Sequence, residues 1–186
     1  MTVEQSKFHW LMVHGDWTNQ SLHTTLRASS NQINEIVNIY EFKYRRRVEF
    51  SETDSAGIVY FANFYRYMEE AEHAFLRSLG LSIHIETPDG IVTVPLVRSS
   101  CNYCKPLRFE DEIEVHLMVA KIGGKSIKFD FHIKKTGNSD IPAIQVARGS
   151  LTVSCVLLDS DRMFIRSVPV PDQLKAKIQE VPGTSG

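Results

Sequence analysis

Asp54 lies in the run Glu52-Thr53-Asp54-Ser55-Ala56-Gly57-Ile58-Val59-Tyr60-Phe61-Ala62-Asn63-Phe64, seven residues ahead of Phe61, where a helix-spaced apolar stretch begins. The first N–H groups of a helix lack intrahelical acceptors and carry the positive end of its dipole, so they form a donor site for a developing oxyanion. A carboxylate held nearby can act as base or nucleophile, and acyl transfer needs both parts. The same residues also permit plainer roles: Asp54 could cap the helix or close an Asx turn.

These groups have to be positioned by a strand before them and a helix after them. Tyr44, Val48 and Phe50 share one parity, with Lys43, Arg45, Arg47 and Glu49 on the other, the pattern of a half-buried strand. Phe61, Phe64, Met68, Ala71, Phe75 and Leu79 recur at helical spacing, with Arg66, Glu69, Glu70, His73 and Arg77 on the other side, so a helix of about five turns is expected, ending at Gly80 as its C′ residue. Four strands follow: one from Val92 into Cys101–Cys104, one over Ile113–Val119, one over Ile127–Ile133, and one from Ile144 to Leu157 whose inward phase slips at Gly149-Ser150, where a bulge is expected. Gly123-Gly124 forms the hairpin between the second and third of these. Pro169 and Pro171 end the sheet, and Leu174 and Ile178 mark a short last helix. One helix cannot cover both faces of five strands, so the sheet should curl around it, and its other face and edges call for a homo-oligomer.

Composition narrows the alternatives. A chain of 186 residues fits one domain of ordinary size. Lys plus Arg number 21 against 22 Asp plus Glu, so no field attracts a polyanion and nucleic acid is not an expected partner. No apolar run reaches the roughly 18 residues of a membrane span. Cys101, Cys104 and Cys155 make an odd count that suits reduced thiols, and together with an N-terminus lacking the order of a secretory signal this gives a cytoplasmic expectation. Residues 1–42 are rich in Ser, Thr, Asn, Gln and His and read as an appended segment, with a short helix expected around Ile33, Ile36, Val37 and Tyr40. Residues 43–182 form the domain and 183–186 a flexible tail.

The run Asp54-Ser55-Ala56-Gly57-Ile58-Val59-Tyr60-Phe61-Ala62-Asn63-Phe64 resembles the signature loop of the hotdog-fold acyl-CoA thioesterases, in the branch of the hydroxybenzoyl-CoA enzymes. Pro95-Leu96-Val97 followed by Cys101-Asn102-Tyr103 is similar to that family's second strand, and Pro106-Leu107-Arg108-Phe109-Glu110-Asp111-Glu112-Ile113 to its following turn. The resemblance spans residues 43 to 182. It implies an α+β hotdog fold, a five-stranded antiparallel sheet curled around one long central helix, acting as a homodimer or homotetramer on an acyl-CoA substrate. It further implies that Asp54 is the catalytic carboxylate, attacking the thioester or activating water, and that the backbone amide of Phe61 polarises the carbonyl with loop amides near Gly57 assisting. Tyr60 would border the substrate, and Lys125 and Arg148 are the matched candidates for the nucleotide phosphates. No cofactor or metal is implied.

Ser55 stands where several relatives carry Pro or Ala, and Phe61 where one bacterial branch carries His; a backbone donor survives either change. Cys101-x-x-Cys104 has no second ligand pair, and residues three apart on a strand face opposite sides. Arg45-Arg46-Arg47 reads as a solvated edge. Two other readings of the fold stay open: an acyl-CoA hydratase or dehydratase, which usually pairs the acid with a His, and a non-catalytic acyl-binding module.

Overall fold

The computed structural model describes residues 39–137, 142–159 and 164–182. The extension expected over residues 1–42 and its short helix lie outside the described residues up to position 38, as does the tail at 183–186. Five strands form the main antiparallel sheet: β1 (Glu41–Arg47), β4 (Leu96–Tyr103), β5 (Glu112–Ile122), β6 (Ser126–Lys135) and β7 (Ile144–Ser154), in the order β1-β5-β6-β7-β4. The helix α1 (Asn63–Ser78) lies on its inner face. Strict alternation on β5 and β6 buries Ile113, Val115, Leu117 and Val119 beside Ile127, Phe129, Phe131 and Ile133, and these meet Met68, Ala71 and Phe75 of α1 in a single core. The hotdog expectation therefore holds.

Several local expectations need correction. The run from Val92 is interrupted at Val94-Pro95: β3 (Gly90–Thr93) belongs with β2 (His84–Thr87), β8 (Val156–Leu158) and β9 (Phe164–Ser167) in a second, four-stranded sheet, while β4 joins the first. Proline cannot donate to a ladder, and the chain changes sheet where it stands. The phase slip on β7 sits at Val146, which is skipped in the pairing with β6, so that Ala147 faces Ile133 and Gln145 faces Lys134; Gly149-Ser150 continues the ladder without interruption. Gly149 has a different purpose. A Cβ there would collide with Met68 Sδ and lie 2.9 Å from the Ser100 carbonyl, so glycine is what lets α1 settle onto the sheet. Phe50 is not a strand residue; it opens a single 3-10 turn (Phe50–Glu52), is 73% exposed, and meets Phe109 edge to face. The helix starts at Asn63, two residues later than its apolar spacing suggests, and ends as expected ahead of Gly80 at φ 68°. The last helix is one turn, α2 (Asp172–Lys175), with Leu174 buried beneath it; Ile178 bridges to Ile39 instead of continuing it.

Candidate functional site

The loop that carries Asp54 is anchored by its neighbour Glu52, whose side chain is buried. The Glu52 carboxylate accepts from the Arg46 guanidinium at 2.6 Å, from the Glu49 amide at 2.8 Å and from the Tyr67 hydroxyl at 3.0 Å. Arg46 also donates to Glu70 at 2.6 Å and covers the Tyr67 ring at 4.5 Å from its centroid. Burial opposes the Arg46 charge, yet the hydrogen bond and charge of Glu70 and the charge of Glu52 outweigh it and hold the pKa above the ordinary guanidinium value. Tyr67 is pushed above the usual phenol range, first by burial and then by its bond to Glu52. Of the three consecutive arginines expected on a solvated edge, Arg45 and Arg47 are exposed and pair with Glu114 and Glu112 across the sheet, while Arg46 is inside. Its even position, shared with Tyr44 and Val48, was the signal that it points inward.

Beyond Glu52 the chain folds back on itself. Thr53 and Val59 form an antiparallel bridge, with the Asp54 amide donating to the Ile58 carbonyl at 2.9 Å and the Tyr60 amide to the Glu52 carbonyl at 2.9 Å. Gly57 adopts φ 70°, a left-handed conformation that a side chain would strain, and its amide returns to the Asp54 carbonyl at 3.0 Å. Asp54 Oδ1 accepts from the Ala56 amide at 2.8 Å, which is an Asx turn. Its Oδ2 has no partner among the described residues, and the side chain is exposed on this chain.

The head of α1 is left open. Asn63 donates to the Tyr60 carbonyl at 2.9 Å and Phe64 to that of Phe61 at 3.3 Å, but the amides of Phe61 and Ala62 find no acceptor among the described residues, and no side chain caps the helix. Beside them Ile58, Val59, Phe61, Phe64, Tyr103 and Pro106 line a mainly apolar groove of about 420 Å³. Tyr103 closes one wall, its ring edge-on to Phe64 at 5.1 Å and its hydroxyl donating to the Phe61 carbonyl at 3.3 Å. Such a surface takes an apolar acyl group beside donors able to bind an oxygen.

Asp54, Gly57, Tyr60 and Phe61 thus share one loop. Tyr60 and Phe61 stack at 4.6 Å and are about half exposed. Lys125 and Arg148 are not grouped with them in a single chain. Lys125 sits in the turn between β5 and β6, its carbonyl accepting from Cys155 at 2.8 Å; Arg148 is exposed on the sheet face opposite α1, on the rung shared by Asn102 and His132. The sequence reading missed Glu72, a buried carboxyl on α1.

A curled five-stranded sheet on one helix, with an acid-bearing loop at the helix head, is the architecture of hotdog enzymes that hydrolyse thioesters. The chain belongs to the thioesterase-like superfamily, whose family model matches residues 48–178. It is 42% identical over 94 residues to a putative esterase of Aquifex aeolicus, covering 50% of this chain and 73% of that one. It is 27% identical over 139 residues to a 1,4-dihydroxy-2-naphthoyl-CoA hydrolase of Thermosynechococcus vestitus, covering 75% and 89%. The crystal structure of a 1,4-dihydroxy-2-naphthoyl-CoA thioesterase from Synechocystis superposes with a TM-score of 0.62 at 27% identity, covering 73% of this chain and 93% of that one. The protein is accordingly a hydrolase acting on thioester bonds.

Proposed function

We propose that the chain hydrolyses aromatic acyl-CoA thioesters, with Asp54 as the catalytic carboxylate and the Phe61 amide as oxyanion donor. The observation that carries this reading is the pairing, in one loop, of a carboxylate oxygen and helix-head amides that have no partners among the described residues, next to an apolar groove. The thioester carbonyl oxygen accepts from the Phe61 amide, with the Ala62 amide alongside. Either Asp54 takes a proton from the attacking water, which yields the free acid directly, or Asp54 attacks the carbonyl carbon to form a mixed anhydride that water then cleaves to the free acid and the Asp54 carboxylate. On both routes the tetrahedral oxyanion rests on the helix head and CoA leaves as the thiolate. Aromatic acyl groups are favoured by the aromatic lining of Phe61, Phe64 and Tyr103 and by the dihydroxynaphthoyl-CoA relatives.

We infer that the working enzyme is a homodimer or a homotetramer. Strand β4 is an unpaired edge of eight residues on which Leu96, Val97 and Tyr103 are 52%, 61% and 47% exposed, and the half-exposed Phe61 lies against Tyr103. A second copy pairing along β4 would cover this apolar margin and enclose Asp54. Lys125 and Arg148, away from the loop in one chain, stay the candidates for the nucleotide phosphates. Three free thiols, Cys101, Cys104 and Cys155, suit a reducing cytoplasm. Among the described residues no helix is long and apolar enough to cross a membrane.

Thiol release from a panel of aromatic and aliphatic acyl-CoAs tests the reading. Wild type is expected to turn over the aromatic members fastest, and an Asp54→Asn variant of unchanged melting temperature to lose at least about a hundredfold in kcat/KM. Full activity in that variant would remove Asp54 from the mechanism.

A further inference from the structure

Glu72 is the side chain the mechanism leaves unused. It lies nine residues into α1, about 14 Å from the start of the helix. Only 5% of it is exposed, yet no hydrogen bond or ion pair to it exists among the described residues. Among the described residues no fully enclosed side-chain oxygen lacks a partner, so the Glu72 carboxyl must reach open space. That space is a second groove of about 310 Å³ between α1 and strands β3, β4 and β7, with walls of Ile83, Val94, Leu96 and Val153. Helical spacing puts Tyr65, Glu69 and Glu72 on one face of α1, and Tyr65, which borders this groove, interacts with Tyr103 of the groove at the helix head, so the two grooves adjoin there.

A lone carboxyl in an apolar wall costs free energy unless something hydrogen-bonds to it. Burial, and then the negative charge of Glu69 one turn earlier, raise its pKa from 4.5 to about 7. Arg66 and His73 also border the groove, but neither bonds to Glu72. A protonated carboxyl both donates and accepts, which suits a neutral hydroxyl better than a cation.

We propose that Glu72 is a specificity-determining residue that hydrogen-bonds a hydroxyl at the far end of the acyl group. This rests on the thioesterase reading, because the acyl group is taken to start at the helix head. Even after the side chain leans back toward the helix start, the distance exceeds one ring, so the hydroxyl belongs on the distal ring of a bicyclic acyl group.

The test compares kcat/KM for 6-hydroxy-2-naphthoyl-CoA and 2-naphthoyl-CoA in wild type, Glu72→Gln and Glu72→Leu. Wild type should prefer the hydroxylated thioester by about tenfold to a hundredfold. The Leu variant should lose that preference while keeping turnover of the unsubstituted thioester, and the Gln variant, still able to hydrogen-bond, should keep part of it. Calorimetric binding of free 6-hydroxy-2-naphthoic acid reads the groove without catalysis, and should weaken about tenfold in the Leu variant. If no thioester is hydrolysed but this selective binding persists, the hydrolytic reading fails and the Glu72 site stands. An unchanged preference and unchanged acid binding in the Leu variant would overturn the proposal. So would a Leu variant whose defect is confined to oligomer dissociation, since Glu72 would then serve the subunit contact.

Discussion

Glu52 and Asp54 are carboxylates two residues apart in one loop, and their surroundings are opposite. Glu52 is buried, with a guanidinium, an amide and a phenol all donating to it, so its oxygens are committed to holding the loop. Asp54 is exposed; one oxygen closes a local turn and the other has no partner among the described residues. A buried charge must be satisfied by the fold, whereas a reacting one must keep an unshared pair for the substrate. The rigidity that Asp54 needs is supplied from outside its own side chain: the Glu52 carbonyl takes the Tyr60 amide at 2.9 Å and the Asn63 side-chain amide at 2.8 Å, tying loop and helix head together.

The contrast predicts a separation of effects. Asp54→Asn should cost at least about a hundredfold in turnover with little change in stability, read by thiol release and a thermal melt. Glu52→Ala should do the reverse, lowering the urea midpoint by about 3 kcal/mol equivalent at unchanged m-value, because Arg46 and Tyr67 lose a buried acceptor, while turnover per folded molecule falls less than about tenfold. If Glu52→Ala abolished turnover at full stability, the division of labour would be wrong.

Glu72 is a third case, buried but without a partner among the described residues, and it gives a pH signature. Its folded pKa of about 7 lies above the unfolded 4.5, so the folded chain binds more protons between those values and stability falls as pH rises through that window, by on the order of 2–3 kcal/mol. Glu72→Gln should flatten that slope in urea titrations from pH 4.5 to 7.5. The smallest effect belongs to Tyr67→Phe, which removes one donor to Glu52 and should cost about 1 kcal/mol without altering kcat; a larger loss would mean that the phenol, rather than Arg46, anchors the acid.

The strands β5 and β6 were legible because side chains alternate with period two and one face is wet, and α1 because its apolar residues recur with the helical period. The Asp54 loop was legible through its acid, its glycine and the spacing to Phe61. The break at Pro95 was hidden because apolar residues on both sides keep one pattern while the chain changes sheet. The bulge at Val146 was displaced to a nearby glycine that serves Met68 instead. Arg46 was lost in a charge run, since its partners Glu52 and Glu70 lie 6 and 24 residues away.

The amino-acid order by itself determined the elements, the apolar faces that bring them together, and the acid placed before a helix head, because these depend on neighbours a few residues apart. Only the tertiary structure decided that Glu52 is consumed by the fold while Asp54 keeps a free oxygen, that Lys125 and Arg148 lie away from the loop in one chain, and that Glu72 opens into a groove. Each of those depends on which distant groups fill a carboxylate's hydrogen-bonding positions or leave them open, and that is fixed by packing between elements far apart in the chain.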